Sequence, residues 1–417
     1  MGEAGHEYTE RDPVVAQYER WLYPEPVDDL THPSIAKYVD SFRSLQGLSP
    51  FYWPAGQPRE DLDILVAGCG TLAGAVYAHL YPRCRVVGID ISRASLAHHQ
   101  RLKEWHRLTN LTLHHLPVEQ VANLGLEFDY ISCHGVLHHL PDPPSGLRAL
   151  RGVLRLEGIV AVMLYGKYGR AAVYPFQELF RLIGLDQTPQ DVAIVKETLG
   201  ALLPDHPLRW YLQRATDLNS DAGLVDTFLH RRDRPYSAAD CAALVREAGL
   251  VFQGWDRNFW YYPDGPLASI PRLRERLDLL PDEQVWQAMD VIVGMIGRHF
   301  FYACRADRDP ATYRQLWESP GLLDYVPIQR AQLIKRPGAT EDQQWAMGAP
   351  QFPPVPLSTK QAAILSQIDG RRTVHQCLAG AGFSENAADT LDLARALFRL
   401  LWRTGFGVLR IRPSIIR

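Results

Sequence analysis

The 417-residue chain lacks the features that mark several large classes of protein. Its six cysteines form no C-x-x-C pair, so neither a disulfide framework nor a cysteine-based metal site is predicted, and we expect a cytoplasmic protein. No apolar run approaches the roughly 20 residues that span a bilayer, so no membrane segment is expected. The net charge is -3, which gives no basic surface for nucleic acid.

A glycine turn between two apolar segments is the most informative stretch of the sequence. The run Ile64 to Val66 predicts a strand that is buried on both faces of a parallel sheet. Gly68 and Gly70 follow at once, and glycine lets the chain turn sharply and a ligand approach bare backbone. Asp90 ends the next predicted strand, about 20 residues later, where a carboxylate accepts hydrogen bonds from ribose hydroxyls in nucleotide-binding βαβ units.

The glycine turn does not match the dinucleotide fingerprint. Gly74 comes one place too late for G-x-G-x-x-G, so a pyrophosphate ligand such as NAD is not predicted. A ligand that has a ribose and no phosphate needs only the glycine turn and the carboxylate of Asp90. The stretch resembles motif I of the class I methyltransferases that use S-adenosylmethionine (SAM), with departures at Ala67 and Leu72.

A second motif strengthens this resemblance. The segment 128–141, FDYISCHGVLHHLP, is similar to the stretch after the fourth strand in methyltransferases of types 11 and 12. Strands alternate with helices from 63 to 165, which predicts an α/β, Rossmann-like, doubly wound sheet. The resemblance implies a transferase with S-adenosyl-L-methionine as cofactor. The cofactor-binding residues that it implies are Ala67, Gly68, Cys69, Gly70, Asp90, Ile91, Pro117, Val118, Glu119 and His134, with Tyr18 and Tyr23 from an N-terminal arm.

The remaining segments predict a multi-domain organisation. A proline-rich stretch at 348–356 indicates a linker, and the three predicted helices and a strand beyond it resemble a winged-helix module. The last predicted helix mixes acidic and basic side chains, so docking or a possible homodimer is favoured over DNA binding. The predicted domains are a helical arm or lid (1–60), a SAM-binding core (61–165), a helical insertion (166–236), the remainder of the core (237–308), a linker region (309–357) and the winged-helix-like module (358–417).

The insertion carries the second group of candidate functional residues. Its segment 226–236 has the pattern D-x-x-L-H-x-x-D-R-x-Y, which resembles the methyltransferase regulatory domain family, some of whose members modify protein lysines. An insertion after the fifth strand covers the open end of such a sheet and can close an acceptor chamber. The predicted catalytic residues are His138, His230, Arg234 and Tyr236, and no metal ligand is predicted.

Several acceptor classes lack their signatures. No N/D-P-P-Y follows the fourth strand, which argues against planar amides; no aspartate cluster suggests a metal-dependent catechol site, and no paired catalytic cysteines suggest base C5 chemistry. A small thiol, amine or hydroxyl acceptor remains. A thiol is slightly favoured because its pKa near 8.5 lets one histidine supply the thiolate. The alternatives are a protein methyltransferase of the lysine type and a SAM-binding regulator without catalytic activity.

Overall fold

The structure is a computed structural model that describes residues 12–42, 44–268, 270–315, 317, 319–336, 344–384 and 388–411. The start of the predicted arm (1–11) and the end of the predicted C-terminal module (412–417) lie outside the described residues. Two compact units are present: the first is formed by the described parts of Met1–Arg43, Arg59–Val251 and Met295–His299, the second by those of Ser44–Pro58, Phe252–Gly294 and Phe300–Arg417. No helix of the described residues is long and apolar enough to cross a bilayer.

A seven-stranded sheet has the doubly wound order that the sequence predicts. Its strands are β1 (Asp63–Ala67), β2 (Arg85–Asp90), β3 (Leu111–His115), β4 (Phe128–His134), β5 (Leu154–Tyr165), β6 (Leu250–Trp255) and β7 (Arg298–Arg305), in the spatial order β3-β2-β1-β4-β5-β7-β6. The first five strands are parallel, with Val66 opposite Gly88 and Ile64 opposite Tyr130. The strand order reverses beside β1, so a ligand is expected at the carboxyl ends of these strands.

Helices connect the strands and precede the sheet. In the first unit they are α1 (Pro13–Arg20), α2 (Ala36–Ser41), α4 (Ala73–Leu80), α5 (Arg93–Trp105), α6 (Pro143–Gly152), α7 (Tyr174–Leu182), α8 (Pro189–Gly200), α9 (Pro207–Leu212), α10 (Asp221–Leu224) and α11 (Ala238–Glu247). In the second unit they are α3 (Ser44–Tyr52), α12 (Pro271–Leu277), α13 (Asp282–Val293), α14 (Thr359–Leu365), α15 (Val374–Gly380) and α16 (Ala388–Thr404). Ser92 caps α5 by accepting from the Ser95 N–H at 3.0 Å.

The segment between β5 and α11 folds around its own apolar core. Helices α7, α8 and α9 belong to this segment, and its core includes the buried side chains Phe180 of α7, Val195 of α8 and Phe228. After α10 the chain continues as a π-helical turn, Val225–Leu229. Such wide turns occur in short pieces and often at functional sites, because they displace a side chain from its regular helical position.

The stretch 309–357, predicted as a linker region, contains four short strands in the second unit. They are β8 (Val326–Gln329), β9 (Gln332–Lys335), β10 (Trp345–Gly348) and β11 (Val355–Leu357). The strand β8 pairs antiparallel with β12 (Gly407–Arg410), and β9, β10 and β11 form an antiparallel sheet. Because β8 and its partner are far apart in sequence, no local pattern indicates the pairing. The winged-helix resemblance stays a prediction.

Two buried carboxylates share one arginine at the amino ends of β1 and β4. Asp63 is 4% exposed and Asp129 is 3% exposed. Arg155 donates from Nη2 to Asp63 and from Nη1 to Asp129, each at 2.6 Å. Burial works to raise the pKa of Asp63, but the hydrogen bonds from Arg85 and Arg155 outweigh it and the pKa is lowered. The arginine therefore bridges the two carboxylates, and the lowered pKa keeps Asp63 ionised inside the sheet edge.

We expect Arg155→Met to destabilise the fold by about 3 kcal/mol, because removing one partner of a buried ion pair leaves an uncompensated charge. Urea unfolding followed by circular dichroism measures this change. The matched control is Arg83→Met, since the Arg83–Glu60 pair is 73% and 79% exposed and such pairs contribute little. Equal stability losses in the two variants would contradict this account of the cluster.

Candidate cofactor and acceptor site

A carboxylate at the end of β2 organises the glycine turn. Gly68 and Gly70 adopt φ of 70° and 54°, a region that favours glycine. Asp90 accepts from the Gly70 N–H at 2.7 Å and from the Ser92 N–H at 2.9 Å, one bond to each oxygen. Burial raises the pKa of Asp90 and these amides oppose the rise. The carboxylate oxygens can accept further hydrogen bonds beside partly exposed glycines, so this pair of acceptors fits the two hydroxyls of a ribose.

A buried histidine of α5 holds this turn by hydrogen bonds, and no sequence motif indicated it. His99 is fully buried in α5; its Nδ1–H donates to the Gly70 carbonyl at 3.0 Å, and its Nε2 accepts from the Ala75 N–H at 2.8 Å. Burial lowers the pKa of His99 to about 4, so the ring is neutral and both bonds persist. The helical spacing of Ser95, His99 and Leu102 on one buried face could have indicated this position.

The structure places the predicted cofactor residues of the sheet at or just after the carboxyl ends of β1 to β4. Ala67, Cys69 and Val118 are buried, whereas Gly68, Gly70, Ile91, Pro117, Glu119 and His134 are partly exposed. Burial lowers the pKa of His134 to about 4, so its ring is neutral. Partial exposure at these positions, beside a buried sheet, is the pattern of a ligand-facing edge. Individual contacts to the cofactor stay predictions.

The N-terminal arm lies directly against the glycine turn. A Cβ added to Gly70 would stand 2.9 Å from the Tyr23 carbonyl oxygen, so only glycine fits beneath the arm. The Ser92 hydroxyl donates to the Tyr18 carbonyl at 3.1 Å. Tyr18 and Tyr23, both predicted at the cofactor site, are therefore adjacent to the turn and to the end of β2.

A buried carboxylate of the π-helical turn stands beside the arm and the sheet. Asp226 is 1% exposed, and its two oxygens accept from the hydroxyls of Tyr18 and Tyr165, each at 2.9 Å. Among the described residues, no lysine or arginine pairs with Asp226 within 4.0 Å. Burial raises the pKa of all three groups, so both phenols keep their protons and donate them. Tyr165 ends β5 and was missed by sequence reasoning, although its place at a carboxyl strand end could have indicated it.

Two stacked histidines adjoin this carboxylate, and their tautomers follow from their partners. The rings of His139 and His230 are 3.8 Å apart and 17° from parallel. The Nδ1–H of His139 donates to the Arg232 carbonyl at 2.8 Å, and the Arg232 N–H donates to Nδ1 of His230 at 3.0 Å. Nε2 of His230 carries a proton and faces the Tyr18 hydroxyl at 3.4 Å.

Two groups of side chains have the spacing of metal ligands. One potential ligand atom from each of His138, His139 and Asp233 lies within 4.8 Å of the others, as does one from each of His139, Asp226 and His230. In the second group His230 has its Nδ1 lone pair occupied and its Nε2 protonated, so it is a hydrogen-bond donor rather than a ligand. In the first group, Asp233 is already paired with the buried guanidinium of Arg170 at 3.4 Å, which opposes a second cation.

His138 is fully buried, and within the part of the chain that the structure describes neither of its ring nitrogens has a hydrogen-bond partner. Its ring packs 4.4 Å from that of Tyr165 and 4.1 Å from that of His139. Burial lowers the pKa of His138 well below its ordinary value, and it does the same to His230. Both predicted histidines are thus neutral and lie in the cluster around Asp226.

The other two predicted catalytic residues do not join this cluster. Arg234 is exposed. Tyr236 is buried, and its backbone connects the insertion to the sheet: its N–H donates to the Tyr165 carbonyl at 2.9 Å and its carbonyl accepts from the Lys167 N–H at 2.7 Å. Burial raises the pKa of the Tyr236 hydroxyl to about 12, against an opposing effect of Arg234. No contact joins either side chain to Asp226 in the described part of the chain.

Comparisons with known proteins agree with this geometry. A family model described as a methyltransferase domain matches residues 65–160. An uncharacterised protein of Synechococcus is 30% identical over 397 residues, which are 91% of this chain and 89% of that protein. A ubiquinone biosynthesis O-methyltransferase of Acinetobacter baumannii is 27% identical over 126 residues, 30% of this chain and 49% of its own length. The structure of PKMT2 from Rickettsia typhi shares the fold, with a TM-score of 0.59, 17% identity, and coverage of 88% of this chain and 75% of that chain.

The fold, the glycine turn with its carboxylate and the matched domain define the protein as a class I SAM-dependent methyltransferase. Within that class, the chain belongs to the family of the Synechococcus protein, with which it shares almost its whole length. The cofactor is S-adenosyl-L-methionine.

We expect Asp90→Asn to weaken the binding of SAM and of S-adenosylhomocysteine at least ten-fold. The amide keeps the shape but loses the charge-assisted hydrogen bonds to the ribose, worth ~1.5–3 kcal/mol. Isothermal titration calorimetry measures both affinities. Asp142→Asn is the matched control, because Asp142 also bonds a backbone amide, that of Ser145, but only caps α6. Unchanged affinity in Asp90→Asn would remove Asp90 from the cofactor site.

A second prediction concerns acid stability. The pKa of His99 is about 4 in the fold and 6.5 in the open chain, so the unfolded state binds more protons between these values and stability falls as the pH drops through this window. His99→Gln can keep both hydrogen bonds without titrating. Between about pH 7.5 and pH 5.5 it should lose about 1 kcal/mol less unfolding free energy than the wild type. Chemical denaturation at both pH values tests this, with exposed His375→Gln as control; parallel losses in all three proteins would contradict it.

Proposed function

We propose that this methyltransferase transfers its methyl group to an amine. The observation that carries the proposal is the Asp226 carboxylate, which is buried, held by two phenol hydroxyls, and without a cationic partner among the described residues. An uncompensated buried charge is costly, and the cost falls when a cation is bound beside it. A protonated amine supplies that cation and three N–H donors.

The same carboxylate disfavours the other small acceptors. A thiol attacks as the thiolate and a hydroxyl develops negative charge, so either would be repelled by Asp226. At 4 Å and an effective dielectric constant of about 20, two unit charges interact by about 4 kcal/mol, which disfavours an anion and favours an ammonium. The slight preference for a thiol in the sequence interpretation rested on histidine as the base. The neutral histidines of the cluster, His138 and His230, have depressed pKa values and are weak proton acceptors.

The reaction needs a neutral nitrogen. SAM would supply an electrophilic methyl group: the amine lone pair would form a bond to the methyl carbon as the S–C bond breaks, and S-adenosylhomocysteine would leave with the electron pair of that bond. An ammonium must therefore lose one proton, and burial raises the pKa of Asp226, which makes it a better proton acceptor than an ordinary carboxylate. Tyr18 and Tyr165 orient the carboxylate oxygens, and His230 in turn donates toward Tyr18 at 3.4 Å. The insertion and arm exclude water from the nucleophile.

The experiment that tests this function uses methyl-labelled SAM with the full-length protein. A cell extract is divided into metabolite and protein fractions, and labelled products are identified by mass spectrometry. The proposal expects label on nitrogen. Label in the protein fraction would make the acceptor a lysine-type side chain, and label among metabolites a small amine. Label confined to sulfur or oxygen overturns the proposal, and SAM binding without any transfer indicates a regulator.

We predict that Asp226→Asn lowers kcat/KM for the amine about 100-fold or more, because it removes both the counter-ion and the proton acceptor. The affinity for SAM should change less than about three-fold, since Asp226 does not contact the glycine turn. The pH profile should also lose its acidic limb, which reflects protonation of Asp226. Asp221→Asn serves as control because Asp221 lies in the neighbouring α10 and makes only an exposed ion pair with Lys196. A variant that keeps its activity, or loses SAM affinity together with activity, would contradict the assignment.

A further inference from the structure

We propose that Ser92 is a positioning residue that couples the cofactor site to the acceptor site. The inference rests on the proposed acceptor role of Asp226. Ser92 stands between the cofactor carboxylate and the arm, and the arm supplies Tyr18, one of the two hydroxyls that hold Asp226. Cofactor binding at Asp90 would thereby order the acceptor site.

Each polar group of Ser92 is already committed. The residue is fully buried; its N–H donates to Asp90 at 2.9 Å, and its hydroxyl accepts from the Ser95 N–H at 3.0 Å. The hydroxyl has a single proton, which it donates to the Tyr18 carbonyl at 3.1 Å. One residue therefore connects three groups: its backbone N–H binds the cofactor carboxylate, and its hydroxyl binds the first turn of α5 and the backbone of the arm.

The arm is held at a second point beside the first. The Glu19 carboxylate accepts from the backbone N–H groups of Arg93 and Ala94, the latter at 3.3 Å. These amides belong to the N-terminus of the 13-residue helix α5, where a negative charge is favoured. Tyr18 is thus held by the hydrogen bond to its carbonyl and by the hydrogen bonds of the next residue, Glu19. In this position its hydroxyl points at Asp226.

The chain of contacts from one carboxylate to the other is short. It runs from Asp90 through Ser92 to the Tyr18 backbone, and from the Tyr18 hydroxyl to Asp226 at 2.9 Å. A ligand that engages Asp90 restrains the segment 90–92, and the restraint passes to the arm. Cofactor binding then orders the acceptor site in advance. Because the site has already lost its conformational entropy, the amine binds with higher affinity to the cofactor complex.

Hydrogen–deuterium exchange of the full-length protein with saturating S-adenosylhomocysteine tests this coupling without an identified acceptor. In the wild type we expect the ligand to slow exchange in segments 65–70 and 90–96, and also in 13–20 and 225–230. In Ser92→Ala the first two segments should still respond, and the last two should lose most of their ligand-dependent protection. Ser92→Thr keeps the hydroxyl and should behave like the wild type.

Two further variants separate coupling from simple destabilisation. Asp142→Ala removes the N-cap of α6 and touches no arm residue, so it should leave ligand-dependent protection of 13–20 and 225–230 intact. Tyr18→Phe removes only the last of these contacts, the hydrogen bond from the Tyr18 hydroxyl to Asp226. The ligand should therefore still slow exchange in the arm, and it should no longer slow exchange in 225–230. Protection of 225–230 in Ser92→Ala equal to that in the wild type overturns the proposal. A loss of S-adenosylhomocysteine affinity of more than about ten-fold in Ser92→Ala also overturns it, because Ser92 would then belong to the cofactor site itself.

These readouts are independent of the acceptor chemistry. If Asp226→Asn retained full activity while the exchange pattern followed expectation, the proposed amine site would fail and the coupling would stand. If Asp226→Asn behaved as predicted and Ser92→Ala transmitted the ligand response normally, the amine site would stand and the coupling would fail.

Discussion

The hydrogen bond between the Gly70 amide and the Asp90 carboxylate is the interaction on which the cofactor site depends. It joins the turn after β1 to the end of β2, so two neighbouring strands present one rigid edge. His99 donates to the Gly70 carbonyl, which fixes the next peptide plane, Gly70–Thr71, so both peptide units of Gly70 are held. Backbone amides hold the carboxylate in one orientation, so the lone pairs that stay available are directed before any ligand arrives. This reduces the ordering cost of binding.

The acceptor site is built differently, although it too is centred on a buried aspartate. Asp226 is held by side-chain hydroxyls, and these come from two separate parts of the chain, the arm and the end of β5. Hydroxyls of buried tyrosines can satisfy a carboxylate as donors, but they bring no positive charge. Asp226 therefore has no lysine or arginine within 4.0 Å among the described residues, and Arg170 and His139 only partly offset the effect of burial on its pKa. This weak compensation, more than the shape of the site, supports a cationic acceptor.

The sequence predicted the sheet and the cofactor edge because both follow from local patterns. A buried strand, a glycine turn and an acid at a fixed spacing have one common arrangement, and Gly70 and Asp90 indeed form a hydrogen bond. The acceptor cluster was predicted only in part. His138 and His230 lie in it, but Tyr165 was not foreseen and Arg234 is exposed, because contacts among the arm, β5 and the π-helical turn depend on tertiary packing. The pairing of β8 with β12 escaped prediction for the same reason.

The two aspartates also differ in how substitution elsewhere in the chain can affect them. Asp90 is held by amides of the sheet edge, which persist whatever side chains the insertion carries. Asp226 lies in a π-helical turn whose position depends on the insertion core around Phe180 and Phe228, and it needs a tyrosine from the arm. Changes in the insertion can therefore alter the acceptor while the cofactor site stays intact. The arm contacts the surroundings of both aspartates, so cofactor binding and acceptor choice can be linked physically through it.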